Sequence, residues 1–403
     1  MISKKNLLPL FLGGFILGGC ASTLPPPKIS KLPIVHKVEV DEKVSSQPSD
    51  MNRLVLVGLK VNVPEMGISC KGSFSVKDLT TGFVKELKEE KIQISARSFG
   101  IVLNGKSFGR KVVISPRNST EYISFGSRKV RGKLKAIASH ESKVTIVNEL
   151  DLDAYLKGVL PREVIVTWPK EALKAQAVAS RTYLISHLGR HKKEGFDVCS
   201  DVHCQVYGGV NREHPQTSKA VEETRGEILE YNGKPIQSFF HACCGGHTEK
   251  VGAVWGSQNK PYLPAKRCGY GKAAPWYNWS LNMSNGEILS LLKKPRLVKG
   301  SQLKSIKVKT KSKSARAEVI TVTTEKGSFN VSGNAFRLAL HPEKIRSTLW
   351  TNLSKKKNGY HFEGRGWGHG VGLCQWGARG QALQNLSYKK ILGFYYPEAK
   401  LKS

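Results

Sequence analysis

The residues from Asp151 to Tyr183, DLDAYLKGVLPREVIVTWPKEALKAQAVASRTY, leave the chain little choice of local structure. Asp151 or Asp153 can cap a helix whose apolar positions Tyr155, Leu156, Val159 and Leu160 follow the helical period, and Pro161 is expected to end it. A second helix starts after Pro169, with Leu173, Ala177, Ser180, Leu184 and Leu188 at helical spacing. Its small residues Ala172, Ala175, Ala177, Ala179 and Ser180 admit a neighbouring backbone, which predicts a tightly buried helix. Between the two, Glu163 stands in a short turn among Val164, Ile165, Val166 and Trp168, with Arg162 the adjacent charge. A carboxyl held against apolar side chains is destabilised as an anion and keeps a proton near neutral pH, as a general acid must. The plainer alternative is a solvated turn residue beside Arg162.

The chain opens as MISKKNLLPLFLGGFILGGC: two lysines, an apolar run too short for an ordinary membrane span, then Leu17-Gly-Gly-Cys20. That is an export signal, residues 1–20. Residues 21–50 follow as a Pro-, Lys-, Val- and Ser-rich tether without amphipathic period. From Met51 short alternating apolar runs begin, Leu54 to Val63 and later Val112 to Ile114, broken by turns at Thr80-Thr-Gly82 and Asn104-Gly105. These mark a β-rich region over 51–130. Further strands are expected at Val144 to Val147 and within Gln302 to Ser328, and a closing helix before Pro397. With 403 residues there is chain for a sizeable core. The formal charge of +33 would suit nucleic acid, but no nucleic-acid motif is present and export removes the chain from it. Anionic lipid, wall polymers or peptidoglycan carboxylates are the better partners for an exported basic protein.

Three further stretches carry chemistry. Cys199, His203 and Cys204, with His191 or His187 nearby, supply ligands of the kinds zinc takes, in a structural role; a Cys199–Cys204 disulfide or free thiols are the alternatives. In Ser238-Phe-Phe-His-Ala-Cys-Cys-Gly-Gly-His-Thr-Glu249, His247 and Thr248 can bond a sugar. Cys243 beside His241 could begin nucleophilic chemistry, but a disulfide from Cys243 or Cys244 to Cys268 is the stronger expectation in an exported chain. From Gly364 to Gly372 every second residue is glycine, which in an extended segment places Arg365, Trp367 and His369 on one face and bare backbone on the other. The side-chain face suits a saccharide groove.

These stretches together resemble the stage II sporulation protein D (SpoIID/LytB) family. YLKGVLPREV, WPKEALKAQAVASRTY, the Gly245-Gly-His-Thr-Glu249 stretch, VSGNAFRLALHPEKIRST and GHGVGLCQWGA follow its landmarks in order, over about residues 131 to 400. The resemblance implies an α+β fold: a SpoIID-like domain, residues 131–403, with a helical catalytic core and a mixed or antiparallel β-sheet, behind the β-rich N-terminal region. It implies a peptidoglycan lytic transglycosylase with Glu163 as the catalytic acid. Arg181, Gln205, Thr248, Arg365, Trp367, His369 and Gln375 would be its substrate contacts, and zinc would sit on His191, Cys199, His203 and Cys204. A non-catalytic wall-binding module that activates an N-acetylmuramoyl-L-alanine amidase is the rival, as is a two-carboxylate hydrolase using Glu249. The Leu-Gly-Gly-Cys ending resembles a lipobox, which makes Cys20 a lipid anchor and the protein an exported, membrane-anchored lipoprotein of the bacterial cell envelope, periplasm-facing if the cell is Gram-negative.

Overall fold

Alternation of apolar and polar residues builds two sheets before the first helix appears. In this computed structural model, which describes residues 53–98 and 100–403, Leu54–Val63 buries Val55 and Val57 and pairs antiparallel with Val144–Asp151. The sheet continues through Lys133–Ala138, Lys111–Pro116, Phe74–Asp78 and Val84–Leu87, with Val198–Cys199 added in parallel at the other edge, seven strands in all. A six-stranded sheet around Glu65–Ser69 and Lys91–Arg97 shares its core. The expected junction at residues 130 and 131 therefore falls inside one sheet: strands from both sides of it pair directly. The signal, the tether and Cys20 lie outside the described residues. Among the described residues no helix is long and apolar enough to cross a membrane.

The strand Val144–Asp151 runs straight into helix α1, Leu152–Glu163, whose N-cap is Asp151: its carboxylate accepts the Ala154 N–H at 2.8 Å. Pro161 lies inside α1 and does not end it. A proline fixes φ at a helical value; it forfeits its own N–H and crowds the carbonyl four residues back, but the Val164 N–H still reaches the Leu160 carbonyl at 3.1 Å, so the last turn closes. Helix α2, Lys170–Ser186, starts after Pro169 as expected, and twelve of its seventeen residues are buried. Ala177 and Leu184 face the core under the two sheets, while Ala172, Leu173, Ala175, Val178, Ala179 and Tyr183 face a second core shared with residues 220 to 268 and 371 to 396. Apolar residues all round a helix are what such a position demands.

A third core sits between the sheet Asn278–Ser284, Gly359–Arg365, Trp350–Lys356 and the sheet Leu303–Lys311, Ala317–Thr324, Gly327–Ser332. Helices and several sheets together make the fold α+β. Two local expectations are corrected. The closing segment forms two helices, Gln375–Ala382 and Tyr388–Tyr395, because Asn385 turns into the left-handed region (φ 60°) and Ser387 caps the second by accepting the Lys390 N–H. The glycine-rich run is not extended: Gly366, Gly368, Gly370 and Gly372 have φ of 77°, 116°, 88° and 71°. What approaches its backbone is the protein's own chain, since a Cβ at Gly372 would stand 2.0 Å from the Phe239 carbonyl and one at Gly366 2.5 Å from that of Cys243.

Candidate active site

Glu163 is the last residue of α1, where the helix's free carbonyls point at it and disfavour a negative charge. Burial does more: it pushes the carboxyl up to about 7, against the opposing pull of the Val206 backbone N–H, the Arg162 charge and the Gln375 side chain. The residue nevertheless keeps partial contact with solvent, and next to it Val164 is buried while Ile165 is 50% exposed. An acid that is half protonated near neutral pH, and reachable, is thus presented at the surface end of a rigid helix.

The sequence places two of the expected contact residues here. Gln375, first residue of its helix, touches the Glu163 carboxyl and donates to Gln176 Oε1 at 3.4 Å. Gln176 donates to Ser180 Oγ at 3.0 Å, Gln205 to the Ser180 carbonyl at 3.3 Å, and the Tyr155 hydroxyl to Gln205 Oε1 at 3.4 Å. Gln205, Gln176 and Gln375 are all buried, so this amide chain holds the acid's hydrogen-bond partner in one orientation. Sequence reasoning did not select Gln176, Tyr155 or Val206. Gln176 and Ser180 are four residues apart on α2, so they share a face, a signal that could have paired them.

The other expected contacts lie elsewhere. Arg181 is fully enclosed, its guanidinium bonded to Asp153, Thr224 and the Val221 and Glu227 carbonyls at 3.0–3.3 Å, which leaves no surface to offer a glycan. The Thr248 hydroxyl is buried and ties the Pro264 and Lys266 carbonyls. The His369 ring packs 5.0 Å from Trp255 and accepts the Val371 N–H, and burial pushes it down to about 3, so it is neutral. Arg365 is exposed, and Trp367 meets Trp276 edge-on at 4.6 Å with Arg346 above it, a separate aromatic surface. Glu249 is buried and accepts hydrogen bonds from Ser312, from Ser314 at 2.5 Å and from the Lys250 N–H at 2.8 Å. The cavity bounded by Glu249, Ser312, Arg316, Arg337 and His369 does not include Glu163.

His191, Cys199, His203 and Cys204 converge, their four ligand atoms within 4.8 Å of one another. His191 Nε2 lies 3.3 Å from His203 Nδ1 and 3.6 Å from the Cys204 sulfur, and His203 Nδ1 lies 3.7 Å from each sulfur. Tetrahedral sites with two sulfurs and two nitrogens have edges of roughly 3.4 to 3.8 Å. Both cysteines are free thiols, and the Glu194 carboxylate bonds His191 Nδ1 and orients the ring, as partners of metal ligands do. The set can hold a metal ion. His187, the other histidine considered, is instead stacked on Tyr183 at 4.0 Å, its Nδ1–H donating to the Tyr183 carbonyl. Cys204 and Gln205 are sequence neighbours, and Val206 next along bonds Glu163, so a metal held by the cluster would anchor the loop that holds the acid.

An α+β protein with a buried, reachable acid next to a His/Cys cluster is the class that emerges. The family model described as Stage II sporulation protein matches residues 140–231, which include Glu163 and all four cluster residues. A domain of unknown function, DUF8618, matches residues 265–372. An uncharacterized protein of Brachyspira hyodysenteriae is 35% identical over 317 residues, 78% of this chain and 82% of that one. The amidase enhancer of Bacillus subtilis is 32% identical over 62% of this chain, which spans only 40% of the enhancer's length. The stage II sporulation protein D of the same organism is 28% identical over 69% of this chain and 82% of its own. The chain belongs to the SpoIID family.

Proposed function

We propose that the protein is a peptidoglycan lytic transglycosylase of the cell wall, cleaving the β-1,4 bond between N-acetylmuramic acid and N-acetylglucosamine in glycan strands. The observation that carries this is the Glu163 carboxyl, raised to about 7 by burial yet open to solvent. Protonated Glu163 gives its proton to the glycosidic oxygen as the bond to the muramoyl C1 breaks. The carboxylate then takes the proton from the muramoyl C6 hydroxyl as its oxygen bonds C1. The proton balance closes on one residue, no water is consumed, and the product ends in 1,6-anhydromuramic acid. Gln375 and the Val206 N–H hold the carboxylate through the cycle. A hydrolase would need a second carboxylate within roughly 5–10 Å, and Glu249, the candidate for it, is buried on Ser312 and Ser314.

Zinc at His191, Cys199, His203 and Cys204 would act structurally, all four positions being filled by protein, and would pin the loop carrying Val206. Peptide-stripped strands are the proposed substrate. Export as a lipoprotein of the bacterial cell envelope, anchored at Cys20, would bring the basic chain to the wall.

The similarity to an amidase enhancer favours a second reading, a wall-binding activator of an N-acetylmuramoyl-L-alanine amidase that does not need Glu163. Mass spectrometry of peptide-free glycan strands treated with the protein or with Glu163→Gln separates the two. Anhydro-ended fragments from the first and none from the second support the transglycosylase. Intact strands that co-sediment with the protein overturn it in favour of the activator, and reducing ends overturn it in favour of hydrolysis.

A further inference from the structure

Behind the glycine-rich run, four thiols from three separate stretches of chain meet in the interior. Cys243 and Cys244 precede the Gly245-Gly246 turn, Cys268 precedes the turn Gly269–Gly271, and Cys374 is the N-cap of Gln375–Ala382. Each is at most 1% exposed, and none is in a disulfide. The pairing expected between Cys243 or Cys244 and Cys268 is therefore not what the fold makes. Instead the Cys374 sulfur contacts those of Cys243, Cys244 and Cys268, and Cys244 also contacts Cys268.

The surroundings are built for thiolates. Backbone N–H groups aim at all four sulfurs: Cys244 and Gly377 at Cys374 (3.2 and 3.3 Å), Gly246 at Cys244 (3.4 Å), Gly245 at Cys243 and Tyr270 at Cys268. In three cases the donor lies two residues beyond its cysteine, the local turn by which a chain wraps a metal-bound sulfur. A neutral buried thiol is a weak acceptor that asks for no such donors, whereas a thiolate gains from each of them. The Tyr395 hydroxyl adds a contact to Cys268 at 3.2 Å. At Gly377 a Cβ would lie 2.9 Å from the Cys268 sulfur and 3.2 Å from that of Cys374, so the side-chain-free position is what lets the sulfurs close.

Two further groups point the same way. His241 is buried, with its Nδ1–H donating to the Val371 carbonyl at 3.1 Å. Its Nε2 has no partner among the described residues, although a ring nitrogen lies within 4.8 Å of the Cys244 and Cys374 sulfurs. The Arg316 guanidinium, also buried, donates to the Cys244 carbonyl at 2.6 Å and supplies positive charge beside the cluster.

We propose that Cys243, Cys244, Cys268 and Cys374 form a second, buried tetrathiolate site for a soft divalent ion of the zinc class, distinct from the His191–Cys204 cluster. Entry of the ion replaces four S–H bonds by four metal–sulfur bonds and releases the four protons to solvent, leaving a dianionic centre that the N–H donors and Arg316 stabilise. It would clamp the Gly245 turn, the Cys268 turn and the N-terminus of Gln375–Ala382, and so fix Gln375 against Glu163 from behind.

The test is metal content and cobalt spectroscopy of the purified full-length protein, prepared without added thiol. About two zinc equivalents per chain are expected, with about one retained in Cys199→Ser/Cys204→Ser and about one in Cys268→Ser/Cys374→Ser. Cobalt in the first double variant should show the long-wavelength, intense bands of four-thiolate coordination. Should the variants fail to fold, cobalt titration of the unaltered protein still decides, because two coordination types give two resolvable spectra. A single equivalent that vanishes with Cys199 and Cys204 would overturn the proposal. So would an intact mass lower by two hydrogens for each of two disulfides among these four cysteines.

Discussion

Replacing Glu163 by glutamine is expected to abolish cleavage and at the same time to stabilise the fold in a pH-dependent way. Burial lifts the carboxyl from 4.5 to about 7. At about 1.4 kcal/mol per unit, the ionised form costs the folded state roughly 3.5 kcal/mol at most. Because the side chain keeps solvent contact, the screened figure is about 2 kcal/mol. The folded protein binds this proton more tightly than the unfolded chain. The cost is therefore absent below pH 4.5, grows as pH rises, and is complete once pH passes the folded-state value of about 7. Glutamine has nearly the same shape, can accept the Val206 N–H, and carries no charge. Urea denaturation of both proteins across this range should give equal midpoints at the acid end and a more stable variant, by about 2 kcal/mol, at the alkaline end. Under the proposed mechanism, cleavage by the unaltered protein should decline as pH rises past about 7, since the acid form would be the proton donor. A stability difference that does not change with pH, or a variant less stable above neutrality, would refute the burial argument for the acid.

Gln375→Ala removes a hydrogen bond that favours the ionised acid, so the alkaline limb of the pH profile should move upward and turnover should fall by roughly tenfold or more, measured as anhydro-ended product against pH. Removing metal from the His191–Cys204 cluster with a chelator should lower the thermal midpoint and loosen the segment around Val206, read as faster amide exchange there, with recovery on adding zinc. Arg181→Ala takes the donor from the enclosed Val221 and Glu227 carbonyls and leaves Arg225 as the one charge partner of Asp153 among the described residues, which should cost about 3–5 kcal/mol in denaturation, while KM for glycan in the folded fraction stays unchanged.

The placement of the acid was legible because it rests on local rules. Asp151 caps, the apolar residues of α1 and α2 recur at helical spacing, and Glu163 follows within a few residues whichever way the helix ends; only the ability of the last turn to absorb Pro161 was missed. The cluster of His191, Cys199, His203 and Cys204 was legible for the same reason, its ligands lying within fourteen positions, where loop closure costs little. The glycine-rich run shows the limit of such rules. Its spacing marked a special backbone, but one period fits both an extended strand and the alternating positive φ that Phe239 to Gly245 impose from across the chain.

By itself, then, the sequence determined most element types, the two-helix frame around Glu163, the local grouping of His191, Cys199, His203 and Cys204, and the family. Tertiary structure alone decided that Gln375 and Gln176, 199 positions apart, meet beside the acid. It also decided that Arg181 and Thr248 are enclosed, that Glu249 is committed to serines, and that the Cys374 sulfur meets those of Cys243, Cys244 and Cys268 in the interior. The physical reason is one of range. Propensity, capping and periodicity act over a few residues, whereas burial and the meeting of distant side chains depend on how whole faces of helices and sheets pack, which no local pattern encodes.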